Sequence, residues 1–197
     1  MGKWIGIGIV VLALVAAASG VSTYNSLVTL DQSVQAQWAQ VENVYQRRAD
    51  LVPNLVETVK GAAAFEKGTF TAVAEARAQV GQVNAGDIAN NPEAFARFQQ
   101  AQDGLSSALS RLMVVVERYP DLKATQNFRD LQAQLEGTEN RIAVERMRFT
   151  QAAQAFNTKR MSFPTVLIAG FFGGRFNEKP YFKSQAGAET APRVDFK

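Results

Sequence analysis

Apolar residues follow two different patterns along this chain. Near the N-terminus they form an almost unbroken run at 4–21, and no charged residue occurs between Trp4 and Leu30. Farther along, apolar residues recur every seven positions, the period of helices packed as in a left-handed coiled coil. The alternation of apolar and polar residues that is typical of β-strands is missing. The pattern predicts an all-α protein in which the N-terminal segment lies in an apolar environment and the rest lies in water.

Residues 1–23 are predicted to be a single-pass transmembrane anchor. A helix needs about 20 mainly apolar residues to cross the hydrocarbon core of a bilayer, and Trp4, Val10 and Leu14 lie in such a stretch. A cleaved signal peptide is the alternative, because the small residues at 16–20 suit a signal peptidase. The charged region ahead of the run is one lysine, Lys3, which favours a retained anchor.

The first helix beyond the anchor is predicted to continue it without a break. Residues 21–52 contain no Gly or Pro, so the two segments should form one rod. Pro53 should kink this rod or remove one of its backbone hydrogen bonds. Its main apolar seam is spaced by seven residues, namely Leu27, Val34, Val41, Arg48 and Leu55, with Trp38, Tyr45, Val52 and Val59 beside it.

The middle of the chain predicts a second helix and a loop. Gly61 and Gly68 mark the end of the first helix and the turn into the next, which we expect at about 69–80. Residues 81–91 contain two glycines and three asparagines and read as a loop.

Two more helices follow. Asn91-Pro92-Glu93 combines a capping side chain, a preset φ and an acid near the positive helix end, and predicts a helix over 92–118. The fourth helix, about 125–160, has the clearest seven-residue period and should end before Pro164. Its main seam consists of Phe128, Leu135, Ile142, Phe149 and Phe156.

These elements divide the chain into four parts. After the anchor, residues 24–162 should form an antiparallel four-helix bundle, since helices joined by short loops pack up-down-up-down. A short apolar extension is expected at 163–183 and a polar C-terminal tail at 184–197.

The apolar extension does not fit a plain bundle. It contains Phe163, Phe171, Phe172 and Phe176, yet it is too short to span a bilayer. The fourth helix should bring it back to the membrane, where it can lie in the interface or dock on a neighbouring chain. We expect one of these contacts in a homo-oligomer. Packing of the segment on its own bundle is the alternative.

Composition narrows the chemistry. The chain has neither Cys nor His, so disulfides, thiolate nucleophiles and the usual general base and zinc ligand are all excluded. Glu136 and Glu139 lie three apart, but without His they read as an ion-paired helix face. The net charge is +3 with the two signs interleaved, which does not favour nucleic-acid binding. We therefore predict no enzyme activity, metal or cofactor.

Arg48 is the polar residue that most needs a partner, because it occupies an apolar seam position. An unpaired buried charge is very costly, so a carboxylate should lie beside it. If the first helix leaves the membrane near residue 27 and the fourth returns near residue 160, residues whose numbers sum to about 187 are level. This makes Glu139 the first candidate partner and Glu145 the second, in a structural ion pair. The alternative is that Arg48 extends to solvent.

Several sequence words resemble those of a known family. They are Tyr-Asn at 24–25, Gln-Arg-Arg-Ala-Asp-Leu-Val-Pro-Asn-Leu at 46–55 and Leu-Glu-Gly-Thr-Glu-Asn-Arg at 135–141. These words closely resemble the LemA family of bacterial membrane-associated proteins, over about 24–182. The resemblance implies a membrane helix followed by an antiparallel helical bundle, and no enzymatic activity.

The resemblance also bears on location and role. One LemA branch works in magnetosome membrane biogenesis, and others are encoded beside envelope proteins that include a membrane-embedded zinc protease. Many relatives carry a lipidation Cys before the Tyr-Asn word, where this chain has residues 20–23 without Cys. These lipoprotein relatives imply an inner-membrane protein with its bundle on the periplasmic side. Lys3 before the anchor and Asp31 after it agree with that orientation.

The function that follows is a non-catalytic scaffold. It would be anchored in the lipid bilayer, form a homo-oligomer, and organise or shape the bacterial envelope membrane. The alternative is an adaptor or regulator of a membrane-embedded protease, which would then be its partner.

Overall fold

A computed structural model of the protein describes residues 2–62, 66–83 and 88–183. Across these ranges the chain is helical apart from short turns and an extended stretch near residue 180, and no β-strand occurs in them. The all-α prediction is therefore confirmed for this part of the chain. The polar tail predicted at 184–197 lies outside the described residues.

Helix α1 runs from Gly2 to Ala62 and carries the predicted anchor and the first bundle helix in one rod. It is the helix of the described chain that is long and apolar enough to cross a membrane, with a mean hydropathy of 2.3 in its apolar window. None of that window is buried, and Trp4, Val10 and Leu14 are all exposed. An apolar helix that its own chain leaves uncovered suggests a membrane anchor.

The three predicted helices after the first are all present with somewhat different ends, and two short helices at Pro120–Lys123 and Thr165–Phe171 were not predicted. Helix α2 extends through Gly81 into the stretch predicted as a loop, and a one-turn helix begins at Pro120, a residue whose preset φ suits a first helical position. The elements in chain order are α2 (Lys67–Val83), a 3₁₀ turn (Ile88–Asn90), α3 (Pro92–Val116), α4 (Pro120–Lys123), α5 (Gln126–Met161), α6 (Thr165–Phe171) and a second 3₁₀ turn (Gly173–Phe176).

Side-chain caps set the starts of the two long C-terminal helices. The Asn91 side chain accepts hydrogen bonds from the backbone N–H groups of Glu93 at 3.0 Å and Ala94 at 3.1 Å, which confirms the predicted start of α3. The Thr125 hydroxyl accepts from the Phe128 N–H at 3.4 Å at the start of α5.

Helix α1 packs along α5, and α2 packs along α3. The rings of Trp38 and Phe149 lie 5.3 Å apart, and Arg48 contacts Glu139 ten residues farther along α1 and ten residues earlier on α5. The two helices therefore run antiparallel, with paired numbers that sum to 187, as the equal-rise estimate predicts. An aromatic core surrounds Trp38 near the anchor, and an aliphatic core surrounds Leu105 and Leu112 farther away.

Pro53 lies inside α1 without ending it. Because proline has no N–H, the carbonyl four residues earlier, that of Ala49, loses its helical donor. The Nε of Arg77 on α2 donates to this carbonyl oxygen at 3.0 Å. The bond that Pro53 removes is thus replaced from a neighbouring helix, and the exchange ties α2 to α1.

This replacement predicts a coupling between Pro53 and Arg77. Arg77→Met should lower the free energy of unfolding by about 1 kcal/mol, because the Ala49 carbonyl then has no donor. In a Pro53→Ala background the new N–H can supply that bond, so Arg77→Met should cost clearly less. Thermal unfolding of the full chain in detergent, followed by circular dichroism, measures both costs. Lys67→Met, an exposed change on the same helix, is the control, and equal costs of Arg77→Met in the two backgrounds would contradict the coupling.

Candidate functional site

The predicted site residue Arg48 lies deep between α1, α3 and α5, and only 1% of its surface is exposed. Its Nη1 donates to Glu139 Oε1 at 3.0 Å and to Ser106 Oγ at 2.8 Å. Its Nη2 donates to the Gln102 carbonyl oxygen at 3.2 Å and to the Gln102 side-chain oxygen. One guanidinium therefore joins three helices, a task suited to its planar fork of donors.

The two ends of this ion pair differ in exposure. The Arg48 side chain is 2% exposed, whereas that of Glu139 is 42% exposed. The Arg48 guanidinium also lies 4.9 Å from the centre of the Tyr45 ring, and its Nε has no acceptor among the described residues. Since arginine stays protonated in proteins, this cluster holds helices in place and does not transfer protons.

Glu145, the second candidate partner, does not contact Arg48. It accepts a hydrogen bond from Arg148 Nη1 at 2.8 Å, one turn farther along α5. Glu136, the other carboxylate near Glu139, accepts from Gln132 Nε2 at 2.9 Å. The structure thus brings Arg48 and Glu139 together and places Glu145 in a local pair on its own helix.

Tyr45 is the titratable side chain most affected by this environment. Burial raises the pKa of Tyr45 above its ordinary value near 10, and the nearby cations Arg146 and Arg48 offset part of that rise. The phenol therefore stays neutral at physiological pH and packs as an uncharged ring beside the Arg48 guanidinium.

A second buried cation, Lys179, is absent from the sequence predictions. Its Nζ lies 2.5 Å from Asp31 Oδ1, hydrogen-bonds the Asn90 side-chain oxygen, and sits 4.7 Å from the centre of the Phe156 ring. Asn157 on α5 holds the same residue by its backbone, donating to the Lys179 carbonyl and accepting from its N–H, both at 2.9 Å. These contacts fasten the C-terminal stretch to α1, the first 3₁₀ turn and α5.

The sequence contains little signal for this second cluster. Asp31 and Lys179 are far apart in the chain, and Lys179 follows no helical period. The available signal was that Asp31 is the first acid after the apolar run, on a helix with one buried face, and so needs a partner.

The four predicted interface phenylalanines fall into two groups. Phe163 and Phe171 are 80% and 85% exposed, and Phe172 is partly covered by Tyr24, with ring centres 4.8 Å apart. Phe176 is 1% exposed and packs against Phe156 within its own chain. Phe176 is therefore a correction to the predicted interface set, because the second 3₁₀ turn points its ring into the bundle.

The described residues bring no three carboxylate, His or Cys side chains together in a way that would hold a metal ion. The buried charged side chains among the described residues are Arg48 and Lys179, one in each cluster. The role that this arrangement supports is structural: each buried charge fixes the register of the elements that contact it.

The unequal burial of Arg48 and Glu139 predicts unequal mutational costs. Glu139→Leu should destabilise the chain by about 3–5 kcal/mol, because it leaves a buried cation that cannot deprotonate. Arg48→Met should cost less, about 1–3 kcal/mol, since Glu139 can rehydrate and the remaining penalty comes from the buried oxygens of Gln102. The double variant should recover much of the Glu139→Leu loss.

Chemical denaturation of the full chain in detergent measures all three variants. Arg47→Met, at the exposed neighbouring position, controls for the loss of one charge on α1. Additive costs in the double variant, or a harmless Glu139→Leu, would show that the pair does not carry this stability.

The amino-acid sequence that forms this site matches a known protein family. The LemA family profile matches residues 37–196, a range that includes Arg48, Glu139 and Lys179. Magnetosome protein MamQ 1 and Magnetosome protein MamQ 2 of Paramagnetospirillum magneticum are each 28% identical to this chain over 198 residues, covering 91% of it and 72% of the relative. Magnetosome protein MamQ of Magnetospirillum gryphiswaldense is 27% identical over 202 residues, covering 93% of this chain and 74% of the relative. The profile spans most of the chain, and on that basis this protein belongs to the LemA family.

Proposed function

We propose that this protein is a non-catalytic, membrane-anchored scaffold whose copies assemble and organise or shape the bacterial envelope membrane. The observation that carries the proposal is the unbroken α1, which passes from an uncovered apolar segment directly into the bundle core. A flexible linker would let the bundle turn freely above the bilayer. A continuous helix instead couples the angle of the bundle to the angle of the anchor.

The buried clusters support a mechanical role for the bundle. Arg48 and Lys179 have their charges occupied by contacts that join helices, so neither is available as a reactive group. We take the four long helices as an antiparallel four-helix bundle, with α1 against α5 and α2 against α3. Such a bundle held rigidly on one anchor can pass force between neighbours and the membrane.

Assembly of several copies is the second part of the proposal. No described part of the chain covers residues 2–19, which are exposed along their whole length, so we assign the helix partner of the anchor to another copy. Gly2, Gly6, Ala13 and Ala17 supply small side chains on this segment, which let helices approach closely in lipid. The MamQ relatives are named magnetosome proteins, which fits a role at a membrane.

Rigid coupling can be tested by replacing residues 19–23 with Gly-Ser-Gly-Ser-Gly. Each glycine costs about 1 kcal/mol in a helix relative to alanine, so the rod should acquire a hinge. The matched control replaces the same five residues with alanines, which keeps both length and helix. Electron cryomicroscopy of proteoliposomes should show ordered or curved protein-bearing membranes for the wild type and the alanine variant, and undeformed vesicles for the hinge variant.

Particle mass in detergent gives the complementary result. If the protein is a scaffold, the detergent particle should have the mass of several identical chains. In the proteoliposome experiment, wild-type vesicles indistinguishable from protein-free ones would count against the scaffold. A single chain that co-purifies with a membrane-embedded protease would instead favour the adaptor function.

We further propose that the bundle lies on the periplasmic side of the inner membrane. Because the chain has no Cys, Val114→Cys and Lys3→Cys each introduce one unique thiol, on the bundle and at the cytoplasmic end of the anchor. In cells with a permeabilised outer membrane, a membrane-impermeant maleimide should label the first and spare the second. The reverse labelling would place the bundle in the cytoplasm.

A further inference from the structure

Helix α6 has one buried face and one exposed apolar face. Thr165 and Ala169 point into the bundle and are nearly fully buried. Leu167 and Phe171 lie four residues apart on the other side of the helix and are 64% and 85% exposed, and Phe163 just before the helix is 80% exposed. We call these three side chains the basal face. The spacing of Leu167 and Phe171 is that of an amphipathic helix in contact with an apolar phase.

The basal face lies at the height where α1 leaves the predicted bilayer. The ring of Tyr24 is 4.8 Å from that of Phe172 and 5.5 Å from that of Phe176, both in the segment that contains the basal face. Residues 2–19 below Tyr24 are uncovered, and full burial on α1 begins at Leu27. The basal face is thus beside the membrane end of the bundle.

The segment is held in this place by polar contacts on its bundle side. Arg160 Nε donates to the Phe176 carbonyl at 2.5 Å, and Lys179 beyond it is fastened by Asp31 and Asn157. The exposure of the basal face is therefore a consequence of fixed packing on both sides of α6.

The surroundings of the basal face are cationic. Residues 159–176, which flank and include α6, contain Lys159, Arg160 and Arg175 and no acid. Arg175 is exposed beside the Tyr24 ring, with its guanidinium carbon 5.8 Å from the ring centre. Apolar side chains bordered by cations match the boundary between acyl chains and lipid phosphates.

We propose that the basal face inserts into the interface of the leaflet from which α1 emerges, giving each chain a second contact with the lipid bilayer. The proposal rests on the anchoring proposed above and deepens it. A second copy of the chain is a weaker occupant, because three side chains on and just before a seven-residue helix fall far short of the roughly 800 Å² per partner of a stable interface. Two points of contact fix the rotation of the bundle about its anchor, which one helix alone does not.

The test uses the full chain in lipid nanodiscs and its lack of cysteine. Leu167→Cys, Val10→Cys and Val114→Cys each carry one nitroxide label, at the basal face, in the anchor and at an exposed site far from the membrane. Electron paramagnetic resonance then compares collisions of each label with oxygen, which concentrates in lipid, and with a water-soluble nickel chelate. The oxygen-to-nickel ratio should be highest at residue 10, clearly raised at residue 167 and lowest at residue 114.

A second variant sharpens this result. Phe163→Asp with Phe171→Asp, added to Leu167→Cys, should move the residue 167 label to the ratio of residue 114. The same pair added to Val10→Cys should leave the ratio at residue 10 unchanged.

The contrary outcomes are distinct. A label at residue 167 as water-accessible as that at residue 114, with residue 10 still in lipid, overturns the basal contact and leaves the anchor intact. Shielding of residue 167 from both reagents, with spin–spin broadening that disappears on dilution with unlabelled chain, assigns the face to a second copy. A label at residue 10 in water overturns the anchoring on which the inference rests.

Discussion

One helix has to satisfy two solvents, and most of the structure follows from that constraint. Residues 4–18 of α1 are apolar on every side, as a helix in hydrocarbon must be, while beyond Leu27 only one face of the helix is buried. Because no break separates the two parts, the bundle must be built directly on the end of the anchor. Helix α5 returns along α1, and the chain that follows it closes the base of the bundle beside Tyr24.

Two buried cations fix how the other elements sit on this rod. Arg48 sets the height of α3 and α5 against the middle of α1, and Lys179 sets the C-terminal stretch against its membrane end. A buried charge tolerates only arrangements that supply its partners, so a helix shifted by two turns would strand it. Apolar seams alone repeat every seven residues, about two turns, and would permit such a shift. The cations therefore contribute specificity to a bundle whose apolar packing supplies the stability.

The proposed action on a membrane would follow from the same geometry. A bundle joined to its anchor by an unbroken helix, and resting on an apolar basal face, would be constrained in both tilt and rotation. Copies held in this way would meet with defined angles, which is a physical requirement for organising a surface. The functional proposal thus depends on stiffness and orientation, since the chain has neither His nor Cys for the commonest catalytic and metal chemistry.

The local signals in the chain were sufficient for its long helices and for one long-range contact. The seven-residue seams, the Asn91 cap and the stop at Pro164 depend on neighbouring residues, so they can be read without a structure. The height of Arg48 relative to Glu139 also follows from sequence, because two helices rising equally from one membrane leave a single register.

The remaining features depend on where irregular backbone goes in three dimensions. Lys179 finds Asp31 only because the segment after α6 folds back across the bundle, a path that no periodicity encodes. Arg77 reaches the carbonyl left free by Pro53 through the placement of α2, and Phe176 turns inward where Phe171 stays exposed. Helical periods specify faces and heights along a rod. The contacts of turns and extended chain depend on the surface that the packed helices present to them, so only the tertiary structure decides these contacts.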